Sequence, residues 1–226
     1  MMASTAPSSS YAAARDRLEA YFDRTAVEQW KALTSDAPVS RIRATVRAGR
    51  DRMRGLLLDW LPQDMTGLRL LDAGCGTGSL AVEAAARGAD VVAIDVSGQL
   101  VAVARQRAPR GLSIDWRVGD MLSAGLGRFD HVVAMDSLIH YEASDMIAAV
   151  AALRARTAGS VLFTFAPSNP LLETMKFVGK AFPRGDRSPA IAPVREAVLR
   201  NALGGARTER VSAGFYTSQA LEVLPA

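Results

Sequence analysis

The residues with the clearest chemical potential lie in a glycine-rich stretch from Asp72 to Gly78. Glycine occupies three alternating positions there, Gly74, Gly76 and Gly78, between an apolar run and an alanine-rich helical pattern. Glycine tolerates positive φ and has no side chain, so the backbone can turn sharply and a ligand can approach it closely. The free N–H groups at the start of the next helix would point at that ligand. The pattern therefore predicts a strand, a tight turn and a helix that hold a nucleotide-like cofactor.

The spacing of the glycines separates two classes of cofactor. The dinucleotide fingerprint is G-x-G-x-x-G, whereas this chain reads D-x-G-x-G-x-G from Asp72 to Gly78. That form resembles the S-adenosylmethionine-binding motif of Rossmann-like methyltransferases, in which S-adenosylhomocysteine is the cofactor product. The alternative is a purely structural glycine turn in another α/β protein.

Two later stretches favour the same cofactor. Asp95 ends a short apolar run about twenty residues past the first glycine, where a carboxylate can accept hydrogen bonds from ribose hydroxyls. Asp120 ends a further apolar run and is followed by Met121. In the methyltransferases that the motif resembles, this position contacts the edge and the face of the adenine.

These residues need a scaffold that gathers the ends of several strands. Five apolar runs predict core strands, at 68–73, 90–95, 113–118, 129–136 and 160–165. Helical patterns lie in the gaps, notably at 79–87, 97–107 and 144–156. Such alternation indicates a parallel sheet that binds ligands at the carboxyl ends of its strands. With two final strands at 206–213 and 215–224, we predict an α/β, Rossmann-like methyltransferase fold. Its mostly parallel sheet would have seven strands and end in an antiparallel hairpin.

The remaining segments predict the domain organisation. Residues 1–10 are expected to be a disordered leader, and residues 11–61 an N-terminal helical arm that caps the domain. Residues 62–226 form the predicted cofactor-binding domain. Within it, the proline-rich segment 167–194 follows the fifth strand and would be either a lid over a bulky apolar substrate or an ordinary connection.

Composition limits the location and the partners. The single cysteine, Cys75, fits a reducing cytosol and is expected to be a small residue packed under the turn. The N-terminus has no secretory pattern, and no apolar run reaches the roughly 18 residues of a membrane span. A cytoplasmic location is therefore predicted, with peripheral membrane contact left open. The net charge of +4 suits an anionic ligand, a membrane surface or nucleic acid.

Aromatic residues of the arm and the end of the fourth strand narrow the interpretation. Tyr21-Phe22-Asp23, Trp30 and the stretch from Asp136 to Tyr141, together with the glycine turn, resemble the magnesium-protoporphyrin IX O-methyltransferase family of (bacterio)chlorophyll biosynthesis. The resemblance covers nearly the whole chain. It implies transfer of a methyl group from S-adenosylmethionine to the 13-propionate of magnesium protoporphyrin IX, giving the monomethyl ester. A carboxylate is already ionised at neutral pH, so the reaction needs positioning rather than a general base.

The same resemblance suggests roles for three residues. His140, a predicted catalytic residue, would hydrogen-bond the propionate, ligate the magnesium of the substrate, or only pack. Tyr21 is the second predicted catalytic residue. It would fold over the cofactor or merely anchor the arm. Asp136 is expected to contact the ammonium of the cofactor through its carboxylate or its carbonyl. No resident metal site is predicted, and His131, at the opposite end of the fourth strand, is interpreted as structural.

An arginine stripe marks the second helical stretch of the arm, at Arg43, Arg47, Arg50 and Arg54. Its spacing puts the four on one helix face, beside an apolar face formed by Ile42, Val46, Met53 and Leu57. The stripe is either a solvated surface or a contact for acidic groups: porphyrin propionates, anionic lipids, or the porphyrin-binding subunit of magnesium chelatase.

Three other functions compete. Another small-molecule acceptor, such as a quinone or phenol, would use every cofactor residue in the same way. An RNA methyltransferase would suit the basic charge, but the fourth strand ends in Asp136-Ser137-Leu138-Ile139 rather than in Asn-Pro-Pro-aromatic, so no nucleic-acid partner is predicted. A non-catalytic cofactor-binding partner in pigment handling is the third.

Overall fold

A seven-stranded sheet forms the centre of the molecule. The computed structural model describes residues 8–24, 30, 34, 40–168 and 189–225. The strands are β1 (Arg69–Ala73), β2 (Asp90–Asp95), β3 (Ile114–Val118), β4 (Phe129–Ala134), β5 (Thr157–Phe165), β6 (Thr208–Ala213) and β7 (Tyr216–Val223). Their order is β3-β2-β1-β4-β5-β7-β6. Neighbours from β3 to β5 are parallel, while β7 is antiparallel to both β5 and β6. The predicted fold is confirmed, including its C-terminal hairpin.

Several strand boundaries differ from the prediction by one to three residues, and two of these differences, in β4 and β5, have a clear structural reason. β4 ends at Ala134 rather than at residue 136, because Asp136 has a φ of 53°, outside the range of an extended strand. β5 begins at Thr157, three residues before the predicted start at 160. Thr157 pairs with Phe129 across an irregular step in the register, which lengthens β5 beyond its apolar run.

Helices cover both faces of this sheet. They are α1 (Ser9–Arg24), α2 (Arg41–Asp59), α3 (Ser79–Ala86), α4 (Gly98–Arg107), α5 (Ala143–Arg154) and α6 (Glu196–Leu203). Successive side chains of a strand point to opposite faces. Leu71 and Ala73 of β1 accordingly pack with α1, α5 and α6 on one face. Leu70 packs with α2 and α3 on the other. The two helices of the arm thus contribute to separate halves of the core.

The N-terminal arm begins earlier than predicted. α1 starts at Ser9, inside the predicted leader, and the hydroxyls of Ser8 and Ser10 donate hydrogen bonds to Asp145 at 2.6 and 2.9 Å. Residues 1–7 and 35–39 lie outside the described residues. α2 then begins at Arg41, and Ser40 caps it by accepting a hydrogen bond from the backbone N–H of Arg43.

The predicted lid falls largely outside the described residues, at 169–188. Its two ends lie side by side, because the Ser168 N–H donates to the Val194 carbonyl at 2.9 Å. Ala192 N–H donates to the Ile139 carbonyl at 2.8 Å, which ties the returning chain to the segment that follows β4.

None of the helices in the described part of the chain combines the length and apolarity that a membrane crossing requires.

Candidate active site

The glycine turn connects β1 to α3 in the predicted position. Gly74, Gly76 and Gly78 have φ values of 87°, 53° and 84°. A methyl group on Gly74 would lie 2.3 Å from the Cβ atom of Ser137, and one on Gly78 would lie 2.4 Å from the Trp116 ring. A methyl group on Gly76 would instead meet no atom within 4 Å. Gly74 and Gly78 therefore allow close packing, whereas Gly76 presents bare backbone to open space, where a ligand can approach it.

A cavity of about 290 Å³ opens above this turn, at the carboxyl ends of β1, β2 and β4. The predicted cofactor residues in its wall are Asp72, Gly74, Gly76, Asp95, Met121 and Asp136. The predicted catalytic residue His140 also lines it. The structure thus brings most of the residues singled out in the sequence to one site.

Asp95 is held in place by the backbone of two loops. One carboxylate oxygen accepts a hydrogen bond from the Gly76 N–H at 2.8 Å, and the other accepts from the Ser97 N–H at 2.9 Å. Burial raises its pKa above the usual range, while these two hydrogen bonds act in the opposite direction. The fixed carboxylate retains lone pairs that can accept hydrogen bonds from a ribose diol.

Asp72 is buried more deeply. Its side chain is 2% exposed, and Oδ2 has no hydrogen-bond partner among the described residues. Burial, with a smaller contribution from the nearby Asp95 carboxylate, raises the pKa of Asp72 to about 7. A buried polar atom without a partner is unfavourable in a folded protein. Because this atom belongs to a residue of the cavity wall, it fits a cationic or hydrogen-bonding ligand such as the amino group of S-adenosylmethionine.

Asp120 and Met121 separate in the structure. Met121 is 7% exposed and contributes to the cavity wall. Asp120 does not line the cavity; its carboxylate accepts hydrogen bonds from the Tyr11 hydroxyl at 2.9 Å and from Arg15 at 3.0 Å. Tyr11 also stacks on Tyr141 with centroids 4.8 Å apart. Asp120 therefore fastens α1 to the loop after β3, and its adenine contact stays a prediction.

The carboxylate of Asp136 is bound by other residues of the protein. Its carboxylate is paired with Arg50 of α2 at 2.6 Å, and its side chain is only 5% exposed. It also accepts hydrogen bonds from the hydroxyls of Thr164 and Tyr216, both at 3.1 Å. An ammonium group would have to compete with Arg50 for this carboxylate. Of the two predicted modes, the backbone carbonyl is the one that leaves these contacts intact.

His140 lies at the end of a short 3₁₀ turn, Leu138–His140, directly after β4. Its Nδ1 atom is 3.4 Å from the Ala190 carbonyl oxygen, and its ring meets the Phe22 ring edge to face at 6.4 Å. Burial lowers the pKa of His140, so the imidazole is neutral at pH 7. If Nδ1 carries the proton toward Ala190, Nε2 keeps a lone pair.

Tyr21 and Phe22 differ from the prediction in their exposure to the site. Tyr21 is not part of the cavity wall; its ring contacts Phe22 edge to face at 5.2 Å. Phe22 does line the cavity and stacks on Trp30 with centroids 5.8 Å apart and an interplanar angle of 13°. The role of Tyr21 stays a prediction, while Phe22 is a site residue that the sequence reasoning passed over. The aromatic pair Tyr21-Phe22 was the available signal in the sequence. It does not show which of the two rings points toward the cavity.

The sequence left open whether the arginine stripe of α2 faces solvent or a ligand. Arg47, Arg50 and Arg54 all line the cavity, and Arg50 lies 4.6 Å from the centroid of Trp30. On the neighbouring face, Met53 and Leu57 are buried as predicted, but Ile42, in the first turn of α2, is 54% exposed.

Cys75 and His131 are the two residues interpreted from the sequence as structural, and Cys75 also lines the cavity. Burial, followed by the nearby Asp72 and Asp95 carboxylates, raises the pKa of the Cys75 thiol well above its usual range, so it stays protonated and unreactive. His131 lies at the start of β4 with Nδ1 3.0 Å from the Ser160 hydroxyl, away from the cavity.

Comparisons with known proteins agree with this geometry. Residues 134–225 match the family model "Magnesium-protoporphyrin IX methyltransferase C-terminus", and residues 70–158 match a general methyltransferase domain. The chain is 48% identical to a magnesium-protoporphyrin O-methyltransferase of Rhodobacter capsulatus, over 96% of this chain and 99% of that one. It is 41% identical to a ubiquinone biosynthesis O-methyltransferase of Methylocella silvestris, over 54% of this chain and 52% of that one. A crystal structure of magnesium protoporphyrin IX methyltransferase from Synechocystis with bound S-adenosylhomocysteine has a TM-score of 0.82 and 30% identity, covering 93% of this chain and 99% of the other.

Proposed function

Because the chain belongs to the magnesium-protoporphyrin IX methyltransferase family, we propose that it esterifies the 13-propionate of magnesium protoporphyrin IX in bacteriochlorophyll biosynthesis. The chain is an S-adenosylmethionine-dependent methyltransferase. The observation that carries the proposal is a cavity that joins the cofactor residues at the ends of β1 and β2 to His140 and the arm.

The cofactor half of the cavity fits S-adenosylmethionine by the chemistry of its donors. Asp95 would hold the ribose hydroxyls and Met121 would pack on the adenine. The Oδ2 atom of Asp72, which no described residue hydrogen-bonds, would face the amino group. When bound, S-adenosylmethionine supplies an electrophilic methyl group on a sulfonium and is left as S-adenosylhomocysteine. The bare backbone at Gly76 leaves room for the molecule to lie directly on the turn.

The substrate half has to orient a carboxylate rather than deprotonate it. The propionate is ionised at neutral pH and attacks directly, forming the ester C–O bond as the methyl C–S bond breaks. Holding the reacting atoms close and nearly in line is the main demand on the protein. A phenolic acceptor would need a base to remove its proton, since its pKa is near 10. Burial makes His140 a weaker base than an ordinary histidine, which favours the carboxylate substrate.

His140 is best suited to one of the three roles predicted for it. With Nδ1 directed to the Ala190 carbonyl, the Nε2 lone pair cannot donate a hydrogen bond to a carboxylate, but it can ligate the magnesium of the substrate. We therefore propose that Nε2 of His140 ligates the magnesium of the porphyrin.

The experiment is a turnover assay with the purified protein, S-adenosylmethionine and either magnesium protoporphyrin IX or the metal-free porphyrin. Chromatography would separate the monomethyl ester. We expect ester from the magnesium form and much less from the metal-free form. Equal ester from both would keep the reaction but contradict metal ligation by His140. No ester from a protein that still binds S-adenosylmethionine would refute the substrate and favour another acceptor or a non-catalytic role.

We also propose that the chain works in the cytoplasm at the membrane surface and receives its substrate from the porphyrin-binding subunit of magnesium chelatase. The support is an exposed basic and apolar start of α2, where Ile42 is 54% exposed beside the exposed Arg43. Co-sedimentation with anionic vesicles, and with the chelatase subunit, tests the two contacts separately. A failure of either assay would remove that contact without affecting the proposed reaction.

A further inference from the structure

One residue of the cavity wall has a strained backbone. Asp136 has a φ of 53° and is, in the part of the chain that the structure describes, the one residue other than glycine with a positive φ. Aspartate adopts this left-handed conformation more readily than most residues, but it persists only where the surrounding structure compensates for its cost. Because such residues concentrate at functional sites, the strain indicates that the direction of the chain at Asp136 matters for the site.

The bend at Asp136 turns the chain from the end of β4 toward His140. The 3₁₀ turn Leu138–His140 begins two residues later, and its first side chain is fully buried, so the path beyond the bend is fixed. The chain also lies directly against the glycine turn here, because a methyl group on Gly74 would collide with the Cβ atom of Ser137. A shift of the bend would therefore move His140 relative to the cofactor residues.

The bend is held by groups from three other elements. Thr164 of β5 accepts a hydrogen bond from the Asp136 N–H at 2.7 Å, and its hydroxyl donates to Oδ1 of the same residue at 3.1 Å. Arg50 of α2 pairs with Oδ2 at 2.6 Å. From β7, the Tyr216 hydroxyl lies 3.1 and 3.2 Å from the two carboxylate oxygens, and the Ser218 hydroxyl donates to Oδ1 at 3.3 Å. These contacts fix both the backbone and the carboxylate of Asp136.

Tyr216 is firmly placed for its contact with this carboxylate. Its side chain is buried, and its ring packs so closely on α2 that a methyl group on Gly49 would collide with it. Burial, followed by the Asp136 carboxylate, raises the pKa of Tyr216, so the hydroxyl keeps its proton at neutral pH and remains a donor. A hydroxyl on a fixed ring is a donor at a fixed point, which restricts the position of the carboxylate that accepts from it.

We propose that Tyr216 is a positioning residue for the methyl transfer: its hydroxyl holds the Asp136 carboxylate, and through it the bend that carries His140 into the cavity. The inference rests on the proposed function, because Tyr216 acts through the role of His140 toward the porphyrin. Tyr216 itself does not line the cavity, so its effect on the reaction is indirect. The inference makes the C-terminal hairpin, 80 positions from Asp136 in the sequence, a part of the active site.

A double-mutant cycle separates this role from a general contribution to stability. Tyr216→Phe keeps the ring against α2 and removes only the hydroxyl. We expect it to lower kcat/KM for magnesium protoporphyrin IX about tenfold, the size of one lost hydrogen bond to a charged group. In a protein that already carries His140→Ala, the same change should cost less than about twofold, because the group that it positions is gone. Calorimetric affinity for S-adenosylmethionine should stay within a few-fold, which shows that the variant is folded.

Two further variants of β7 complete the cycle. Thr217→Val removes a hydroxyl from the next residue, whose exposed side chain points to the other face of the sheet, and should leave kcat/KM within about twofold of wild type. Ser218→Ala removes the longest hydrogen bond to the Asp136 carboxylate and should give a smaller loss, which again disappears in the His140→Ala background. The test therefore does not depend on the folding of one variant.

A spectroscopic measurement tests the positioning without turnover. The chain has two histidines, so a carbon–proton correlation spectrum of the untagged protein contains ring signals from His140 and His131 alone. His131 lies at the far end of β4 and is the internal reference. At about pH 8, where an imidazole is neutral, Tyr216→Phe should shift the ring signals of His140 and leave those of His131 in place.

The outcomes distinguish the inference from the function on which it rests. No ester from a wild-type protein that binds S-adenosylmethionine would refute the proposed function, and the histidine spectra would then decide the positioning role alone. A Tyr216→Phe protein within about twofold of wild type, or a loss as large in the His140→Ala background as without it, would refute the role of Tyr216. Ring signals of His140 that do not move in Tyr216→Phe would refute it as well.

Discussion

The buried carboxyl of Asp72 should impose a pH dependence on stability that a single substitution removes. Its pKa in the folded chain is about 7, against 3.8 for the free side chain. Between these values the native state holds a proton that the unfolded state has released. Stability therefore falls as the pH rises from about 4 to about 7 and is constant above that. For these two pKa values, the loss between pH 5.5 and pH 8.0 is about 2 kcal/mol.

The substitution is Asp72→Asn, which keeps the shape and removes the ionisation. Chemical and thermal unfolding of both proteins without ligand, at pH 5.5 and 8.0, gives the comparison. The stability of the variant relative to wild type should rise by about 2 kcal/mol across this interval, which is about 4–8 °C in Tm for a domain of this size. The absolute offset includes about 1–3 kcal/mol for an amide hydrogen left unpaired, so the change with pH is the decisive quantity. Asp59→Asn, on the exposed end of α2, controls for the loss of one negative charge.

The ligand should reverse the effect. S-adenosylmethionine carries positive charge, which favours the ionised form of Asp72. Near pH 6 binding should therefore release close to one proton and be roughly tenfold weaker than above pH 7. Calorimetry in buffers of different ionisation enthalpy measures that proton, and the Asp72→Asn protein should release none at this step. A constant stability difference between the two proteins from pH 5.5 to 8.0, together with no proton release, would show that Asp72 is already ionised in the empty cavity and would refute the reasoning.

Four other substitutions test the remaining assignments. Asp95→Ala should weaken S-adenosylmethionine binding at least tenfold in calorimetry, because the acceptor of the ribose hydroxyls is lost; an unchanged affinity would mean that the ribose partner lies elsewhere. His140→Ala and Tyr21→Phe should each lower turnover while leaving cofactor affinity within a few-fold, and loss of cofactor binding would contradict the roles given to them. Arg50→Met should lower the free energy of unfolding by about 3 kcal/mol in urea, since it leaves the Asp136 carboxylate buried without its cation; a change below 1 kcal/mol would show that Asp136 needs no cation.

The sequence was sufficient to predict those features of the structure that depend on residues close to one another along the chain. The glycine turn and the strand-end position of Asp95 follow from local steric rules and from the alternation of strands and helices, and the structure contains both. The orientation of the arm depends instead on contacts between distant segments. Tyr11 reaches Asp120 across 109 positions of sequence, and Phe22 rather than Tyr21 turns to the cavity. The apolar periodicity of the arm does not distinguish these outcomes, because Tyr21 and Phe22 are adjacent and both aromatic.

Asp136 shows why a strand-end position predicts location better than role. The rule that ligands bind at the carboxyl ends of parallel strands placed Asp136 at the site correctly. Whether such a carboxylate serves a ligand or the fold depends on which cation reaches it. Arg50 does so from 86 positions away in the sequence, on a helix whose stripe could as well have faced solvent. Once Arg50 is bound there, the same ion pair fixes α2 against the end of β4 and brings Arg47 and Arg54 to the cavity wall. The contact that removes Asp136 from the set of free carboxylates is thus the contact that holds α2 at the cavity.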